Sequence, residues 1–352
     1  MLSSFKQMFH WFNMSSKTTF PQKSAIYTKI SQDEKSQEET SARSVVGATV
    51  FKNNPHNPDL TSAQWPIVAK SDEYSDLVLT LTLEKTVLLP NLTPTSGCHI
   101  SCAALNTMWV SDMSGSLILL DFKGKVLKRI KTRSGAGFHT MTQDGKLLYT
   151  DMENKKIFKL KVYKYCSENS KALKASRRKA LFKKTENWTP LCIYSSRYTG
   201  DLLVGMVNEH RARIMRYDSK GKEKQGIEFD DKNDALYSLP QFVTENANMD
   251  VITSDRTELV AVDITGGRRW IYSGTGKSGF LPAGICCDLL MNIVVFDVFS
   301  NKVHLVDKDG NFLSRLLVLG NSWIPQGVCF DKEGRLFCGD RSKIYVYKYK
   351  HV

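Results

Sequence analysis

A three-part phrase recurs six times between Gly97 and Val352, and it limits the folds open to this chain more than any single residue does. Pro282-Ala-Gly-Ile-Cys-Cys-Asp precedes Asn292-Ile-Val-Val-Phe-Asp297 and Lys302-Val-His-Leu-Val-Asp307, and Pro325-Gln-Gly-Val-Cys-Phe-Asp precedes Arg335-Leu-Phe-Cys-Gly-Asp340 and Lys343-Ile-Tyr-Val-Tyr. Each run alternates or is wholly apolar over about five residues and stops at Gly, Asn or Asp, which is strand spacing and too short for helices. Earlier copies begin at Cys98-His-Ile-Ser, Phe138-His-Thr-Met, Thr189-Pro-Leu-Cys-Ile and Leu239-Pro-Gln-Phe-Val, so the units open near residues 97, 137, 189, 239, 281 and 324. Repeats of about forty residues, each three or four strands long, specify an all-β fold, a six-bladed β-propeller.

Most copies carry a turn and a fourth strand after the third, as in Lys123-Gly-Lys-Val-Leu-Lys-Arg-Ile and Gly266-Gly-Arg-Arg-Trp-Ile-Tyr, whereas the last stops at Lys350-His-Val. An unfilled outer position leaves open backbone groups. The run Val78-Leu-Thr-Leu-Thr-Leu-Glu-Lys-Thr-Val-Leu-Leu has the alternation to fill it. The expected domain is therefore residues 76–352, closed by an N-terminal strand at about 78–90. Residues 1–70 are of another kind. From Ser15 to Ser44, Ser, Thr, Lys, Gln and Glu dominate, which cannot bury enough apolar area to offset ordering entropy, so a disordered or flexible segment is expected. Within it Phe5-Lys-Gln-Met-Phe-His-Trp-Phe reads as a docking helix or a loose terminus, and Asn53-Asn-Pro-His-Asn-Pro as a linker.

With 352 residues, 41% of them hydrophobic, one propeller can bury a substantial core. The apolar stretches are strand-length, and the first twenty residues lack the continuous apolar run of a signal peptide. Eight cysteines, among them Cys192, Cys286, Cys329 and Cys338, show no regular spacing. They read as small buried thiols of a reducing compartment, and a cytoplasmic location is expected.

The passage Gly274-Thr-Gly-Lys-Ser-Gly-Phe-Leu-Pro-Ala-Gly-Ile, with the Asp-ended second strand and the turn Asp307-Lys-Asp-Gly-Asn-Phe-Leu, resembles the NHL-repeat propeller. Trp188-Thr-Pro-Leu-Cys-Ile-Tyr-Ser-Ser-Arg-Tyr-Thr-Gly-Asp-Leu-Leu-Val-Gly-Met is similar to the C-terminal propeller of molluscan tripartite-motif proteins. The likeness covers about three quarters of the chain and bears on fold more than function, since propellers host binding modules and enzymes alike. It implies a non-catalytic, cofactor-free domain that recognises protein substrates for ubiquitin ligases. The RING and B-box of such ligases need Cys-x-x-Cys and Cys/His pairs for zinc. This sequence has no Cys-x-x-Cys, and Cys98-His99 with Cys102 is the nearest approach. No metal site is expected, and ubiquitin transfer would need a RING supplied by another chain.

The formal net charge of +13 is concentrated: between Lys155 and Lys184 twelve Lys or Arg accompany one acid, Glu168. Lys155, Lys156, Lys171, Lys174, Arg177, Arg178, Lys179, Lys183 and Lys184 make this the basic segment, which includes an insertion at 163–176. Such density attracts RNA or anionic lipid, with Tyr163, Tyr165 and Phe182 available for stacking. It serves equally well to keep an outer strand soluble and unpaired. A second surface is the face built from second-to-third-strand turns and inter-blade loops, the upper face. The turns supply His210, Arg211, Arg256, Phe299, Lys302 and Arg341, and the loops supply Arg133, Trp188, Tyr237, Lys277, Phe280 and Trp323. Arg and large aromatics dominate binding hot spots, and the same residue types also pack between blades.

Six-bladed propellers also host calcium-dependent hydrolases and lactonases, which gather acids and His in the channel. Here Asp112, Asp151, Asp255, Asp297 and Asp340 recur once per blade at the end of the second strand, with Asn208 in the third blade. Repetition points to turn capping, because catalysis needs an asymmetric set. His99 and His139 open the first two blades without a non-repeating carboxylate nearby. No Gly-x-Ser-x-Gly, phosphate loop, dinucleotide fingerprint or His-Glu-x-x-His occurs. The expected function is protein recognition, with RNA or anionic-surface binding as the alternative and a calcium-dependent hydrolase as the third reading.

Overall fold

The computed structural model describes residues 65–68, 78–89, 96–103, 106–112, 115–132, 138–161, 179–181, 187–276, 279–318, 327–340 and 343–351. All lie in the unit Thr61–Val352, and every regular element among them is a strand. β1 (Trp65–Val68) and β2 (Val78–Leu88) come first. The first blade is β3 (Ser96–Cys102), β4 (Thr107–Asp112), β5 (Ser116–Asp121) and β6 (Val126–Lys131). The second is β7 (His139–Met141), β8 (Lys146–Asp151), β9 (Lys156–Lys161) and β10 (Lys179–Ala180). The third is β11 (Thr189–Ser195), β12 (Leu202–Val207), β13 (Ala212–Tyr217) and β14 (Glu223–Ile227). The fourth is β15 (Pro240–Glu245), β16 (Val251–Asp255), β17 (Glu258–Val262) and β18 (Arg268–Tyr272). The fifth is β19 (Pro282–Cys287), β20 (Ile293–Asp297), β21 (Lys302–Val306) and β22 (Phe312–Val318). The sixth contains β23 (Val328–Phe330), β24 (Arg335–Gly339) and β25 (Lys343–His351).

Each of the first five blades is a four-stranded antiparallel meander. The inner strands β3, β7, β11, β15, β19 and β23 contact one another in that order, and β23 returns to β3, so the six sheets form a ring. In the sixth sheet β2 lies outside β25, antiparallel from Leu79 opposite His351 to Leu88 opposite Lys343. β1 adds a further strand, Trp65 opposite Leu81. Part of the segment 1–70, expected to lack fixed structure, is thus a strand: Trp-Pro-Ile-Val is apolar and has an edge to pair with. The rest of that segment lies outside the described residues.

Position within a blade explains the apolar pattern. The second strands are covered on both faces by neighbouring blades, and Ile293-Val-Val-Phe-Asp297 is buried throughout. The largest fully buried side chains, Trp109, Tyr149, Phe296 and Phe337, all sit on second strands. The outer strand β18 is buried only at Tyr272 and half-buried at Trp270. On the lower face the turns are built alike. Asp121, Asp218, Asp263, Asp307 and Asp331 each accept, through Oδ1, the backbone N–H groups two and four residues on, at 2.8–3.0 Å. This is the Asx turn that favours Asp there. Gly310 closes one of them at φ +88°, and a Cβ on it would lie 2.7 Å from the Trp270 ring, so glycine alone fits.

Candidate recognition face

The carboxylates ending the second strands hold the upper turns in place. Asp297 Oδ1 accepts the N–H of Phe299 at 3.0 Å and that of Leu281 at 2.9 Å, while Oδ2 accepts the Ser300 hydroxyl. Asp151 caps Asn154 N–H at 3.0 Å, and Asn208 Oδ1 accepts from His210 and Arg211 at 2.9 and 2.8 Å. Asp255 departs from this pattern. Its oxygens accept from Ser238, at 2.7 Å, and Leu239 in the loop entering its own blade, because the turn after it is only Arg256-Thr257. Burial raises the Asp255 carboxyl, against the lowering effect of those two N–H bonds.

On these turns Phe299 is 54% exposed, His210, Arg211 and Arg256 are exposed, and Lys302 is half-buried. Arg256 adopts φ +50°, a left-handed conformation in which a long side chain costs of order 1–3 kcal/mol. Arg211 Nη1 pairs with Glu228 Oε1 at 3.1 Å. The three described loop residues behave differently and follow the packing alternative that the sequence left open. Trp188 is 6% exposed, with the Arg213 guanidinium 4.0 Å and that of Arg211 5.6 Å from its ring centre. Tyr237 is 4% and Phe280 3% exposed. The Phe280 ring stands edge-on to Tyr272 at 5.2 Å and stacks on His304 at 5.8 Å, between the fourth and fifth blades. Burying an aromatic side chain there gains about 1.5–3 kcal/mol, which an exposed pose forgoes. Arg133, Lys277, Trp323 and Arg341 lie outside the described residues.

Of the basic segment, Lys155 and Lys156 are half-buried, Lys155 Nζ donating to the Asn187 carbonyl at 3.4 Å. Lys179 belongs to β10, opposite Lys159. Lys171, Lys174, Arg177, Arg178, Lys183 and Lys184 lie outside the described residues.

The middle of the ring is filled by rings. His99 on β3 stacks on Phe242 of β15 at 5.8 Å, spanning from the first blade to the fourth, and both pack edge-on against Phe138. His139 Nε2 lies 3.2 Å from the Trp109 carbonyl, which can only accept, so Nε2 carries the proton of neutral His139. Its Nδ1 then accepts from His99 Nδ1–H across 3.4 Å, leaving the His99 lone pair on Nε2. Burial first, and then His139, hold the His99 pKa well below the ordinary imidazole value. Among the described residues no group of three His, Cys, Asp or Glu side chains is placed to hold a metal ion, and no helix is long and apolar enough to cross a membrane.

Sequence reading missed a buried ionic cluster at the seam of the third and fourth blades. Arg216 of β13 reaches Glu245 Oε1 at 3.3 Å and Asp201 Oδ2 at 3.6 Å, and Lys224 Nζ approaches the same Asp201 oxygen at 2.7 Å. Burial raises the Glu245 carboxyl, opposed by a Ser196 hydrogen bond and Arg216. Arg216 shares its strand with a second cation, Arg213, so charge alone did not single it out.

No protein-family model matches the sequence, and no curated protein does. The ring is similar to solved structures of low identity. Virginiamycin B lyase from Staphylococcus aureus is 16% identical, with 77% of this chain and 99% of that one covered and a TM-score of 0.51. A gluconolactonase from Xanthomonas campestris is 15% identical over 84% and 99%, with a TM-score of 0.56. The Swd1 β-propeller domain of Myceliophteria thermophila is 8% identical over 82% and 98%, with a TM-score of 0.54. At these identities the likeness concerns the fold alone: this chain is an all-β six-bladed propeller, and neither NHL repeats nor a tripartite-motif relationship follows from it.

Proposed function

We propose that this propeller is a protein-recognition domain that holds its partner on the second-to-third-strand turns of the third, fourth and fifth blades. The observation that carries this reading is Phe299: its backbone is fixed by Asp297 while the residue stays more than half exposed. An aromatic side chain on a pre-ordered turn loses little entropy on binding and is the residue type that anchors interfaces. Arg256, on the neighbouring blade, adds support. A long cationic side chain kept at φ +50°, where Asn or Gly costs less, is a local strain of the kind found at binding sites. His210 and Arg211 extend the surface to the third blade, and Lys302 lies at its edge. The domain then resembles the substrate-recognition propellers of tripartite-motif ligases in role.

The test is capture from cell extract by the immobilised full chain, with and without nuclease, at low and physiological salt. Capture of a protein partner should survive nuclease and physiological salt, and weaken by about 1–2 kcal/mol in Phe299→Ala and Arg256→Asn. Arg256→Asn relieves strain, so its thermal stability should be equal or higher while capture falls. Capture that disappears with nuclease or falls steeply with salt, and fails when Lys174, Arg177, Arg178 and Lys179 are changed to Ala, would assign binding to the basic segment instead.

A further inference from the structure

Cys102 ends the inner strand of the first blade and Cys329 lies in the inner strand of the sixth, 227 residues further along the chain. Their sulfurs are 3.2 Å apart, hydrogen-bonded thiol to thiol, and both cysteines are free. The contact sits on the ring's seam. Cys329 belongs to a cluster with Ile100 and Met108 of the first blade and Phe337, Ile344 and Val346 of the sixth, and Cys102 packs against that cluster. Val87 and Leu89 from the β2 side belong to it as well. As a residue Cys102 is partly exposed whereas Cys329 is buried, so Cys102 is the nearer of the two to solvent although its thiol is itself largely covered. Cys286, on the fifth blade's inner strand, is near enough to interact electrostatically with both.

We propose that Cys102 and Cys329 form an oxidative modification site, at which hydrogen peroxide converts the two thiols into a disulfide that bonds the first blade to the sixth. The sulfurs need to approach by about 1 Å to reach bonding distance. The Cys102 thiolate attacks a peroxide oxygen, the O–O bond breaks, and a sulfenic acid and water result. Cys329 sulfur then attacks the sulfenic sulfur, the S–O bond breaks, and its oxygen leaves as a second water after taking up the Cys329 proton. Two thiols and one peroxide give one disulfide and two waters; the two electrons lost by sulfur reduce the peroxide. A small thiol such as glutathione reverses the bond by exchange. The Cys329 hydrogen bond and burial push the Cys102 thiol well above its ordinary pKa, so thiolate is scarce and the bond forms on sustained rather than brief exposure.

The experiment treats the full chain, folded, with hydrogen peroxide and maps its peptides by mass spectrometry without reduction. One linked species joining the Cys102 and Cys329 peptides, lighter by two hydrogens than the pair of thiols, is expected. Closing a loop this long should raise the melting temperature by roughly 5–15 °C, reversibly with glutathione. The rise should vanish in Cys102→Ser and in Cys329→Ser and persist in Cys286→Ser. Peptide mapping of the unaltered chain does not depend on those variants folding. Recovery of both cysteines as thiols or as separate sulfinic acids, or a bond from Cys286 to Cys329, overturns the proposal.

Discussion

His304 should make this propeller sensitive to mild acid, and by a calculable amount. It lies mid-strand in β21, 2% exposed, stacked on Phe280 and edge-on to Phe312 at 5.5 Å. Nδ1 is 2.9 Å from the Tyr272 hydroxyl, and Nε2 meets no partner among the described residues. A buried N–H without an acceptor costs more than a bare lone pair, so the proton sits on Nδ1 and is donated to Tyr272. Burial pulls the His304 pKa down from 6.5 to about 4, Asp297 opposing and Arg315 and Lys302 adding to the fall. Between those values the unfolded chain binds a proton that the folded chain refuses. Stability is therefore whole above pH 6.5, falls as pH drops, and stops falling below about 4. At 1.36 kcal/mol per pH unit the gap amounts to about 3 kcal/mol, with about 2 already lost at pH 5.

Urea unfolding of the wild type and of His304→Phe at pH 7, 6 and 5 measures this. The variant loses the hydrogen bond to Tyr272 at every pH, a constant penalty of about 1–3 kcal/mol that adding Tyr272→Phe should reduce. What matters is the slope. His99, its pKa also depressed by burial and His139, contributes acid sensitivity of the same sign to both proteins and cancels in the difference. The wild type should lose about 2 kcal/mol more than His304→Phe between pH 7 and pH 5. Equal losses would refute the reasoning and mean that His304 titrates alike in the folded and unfolded chains.

Arg216→Met leaves Glu245 and Asp201 buried without their guanidinium and should cost about 3–5 kcal/mol in urea unfolding; Glu245→Gln, removing a carboxyl that burial already disfavours, should cost less. Gly205→Ala puts a Cβ 2.5 Å from Cys192 Sγ and 3.1 Å from the Pro240 carbonyl, a clash worth about 1–3 kcal/mol of which Cys192→Ala should relieve the part due to sulfur in the double variant. Removing residues 1–70 keeps β2 on β25 and should leave a cooperative thermal transition. Removing 1–91 strips Leu81, Val87 and Leu89 from the core and opens β25, so aggregation is expected on size exclusion.

The fold was legible because a propeller writes the same local constraints many times. Apolar second strands and Asp at the turns can each be read without any long-range contact. The pairing of β2 with β25 suits the same logic, since the alternating run at 78–88 has the pattern of a strand with one covered face. What the sequence hid depends on partners far apart in the chain. Arg216 sits eight residues from Asn208, whose turn bonds are local, yet its own partner, Glu245, belongs to the next blade. Cys102 and Cys329 looked like isolated small thiols because their contact crosses the ring's seam.

The upper face divides along a line that the repeat alone does not draw. Its described turn residues His210, Arg211, Arg256 and Phe299 are exposed, whereas the described loop residues Trp188, Tyr237 and Phe280 are buried. Geometry gives the reason. A second-to-third-strand turn stays within one blade and projects beyond its end, held there in the third and fifth blades by the strand's terminal Asn208 and Asp297. An inter-blade loop must cross from the outermost strand of one blade to the innermost of the next, so its apolar side chains fall into the wedge between the two sheets, as Phe280 does between Tyr272 and His304. Aromatic residues in such loops therefore serve blade packing, and those in turns are free to meet a partner. On this division Phe299→Ala should reduce capture with little loss of stability, while Phe280→Ala should cost about 3–5 kcal/mol of stability by leaving a cavity beside His304. If Phe280→Ala weakened capture without lowering the melting temperature, the division would be wrong, and the loops rather than the turns would carry recognition.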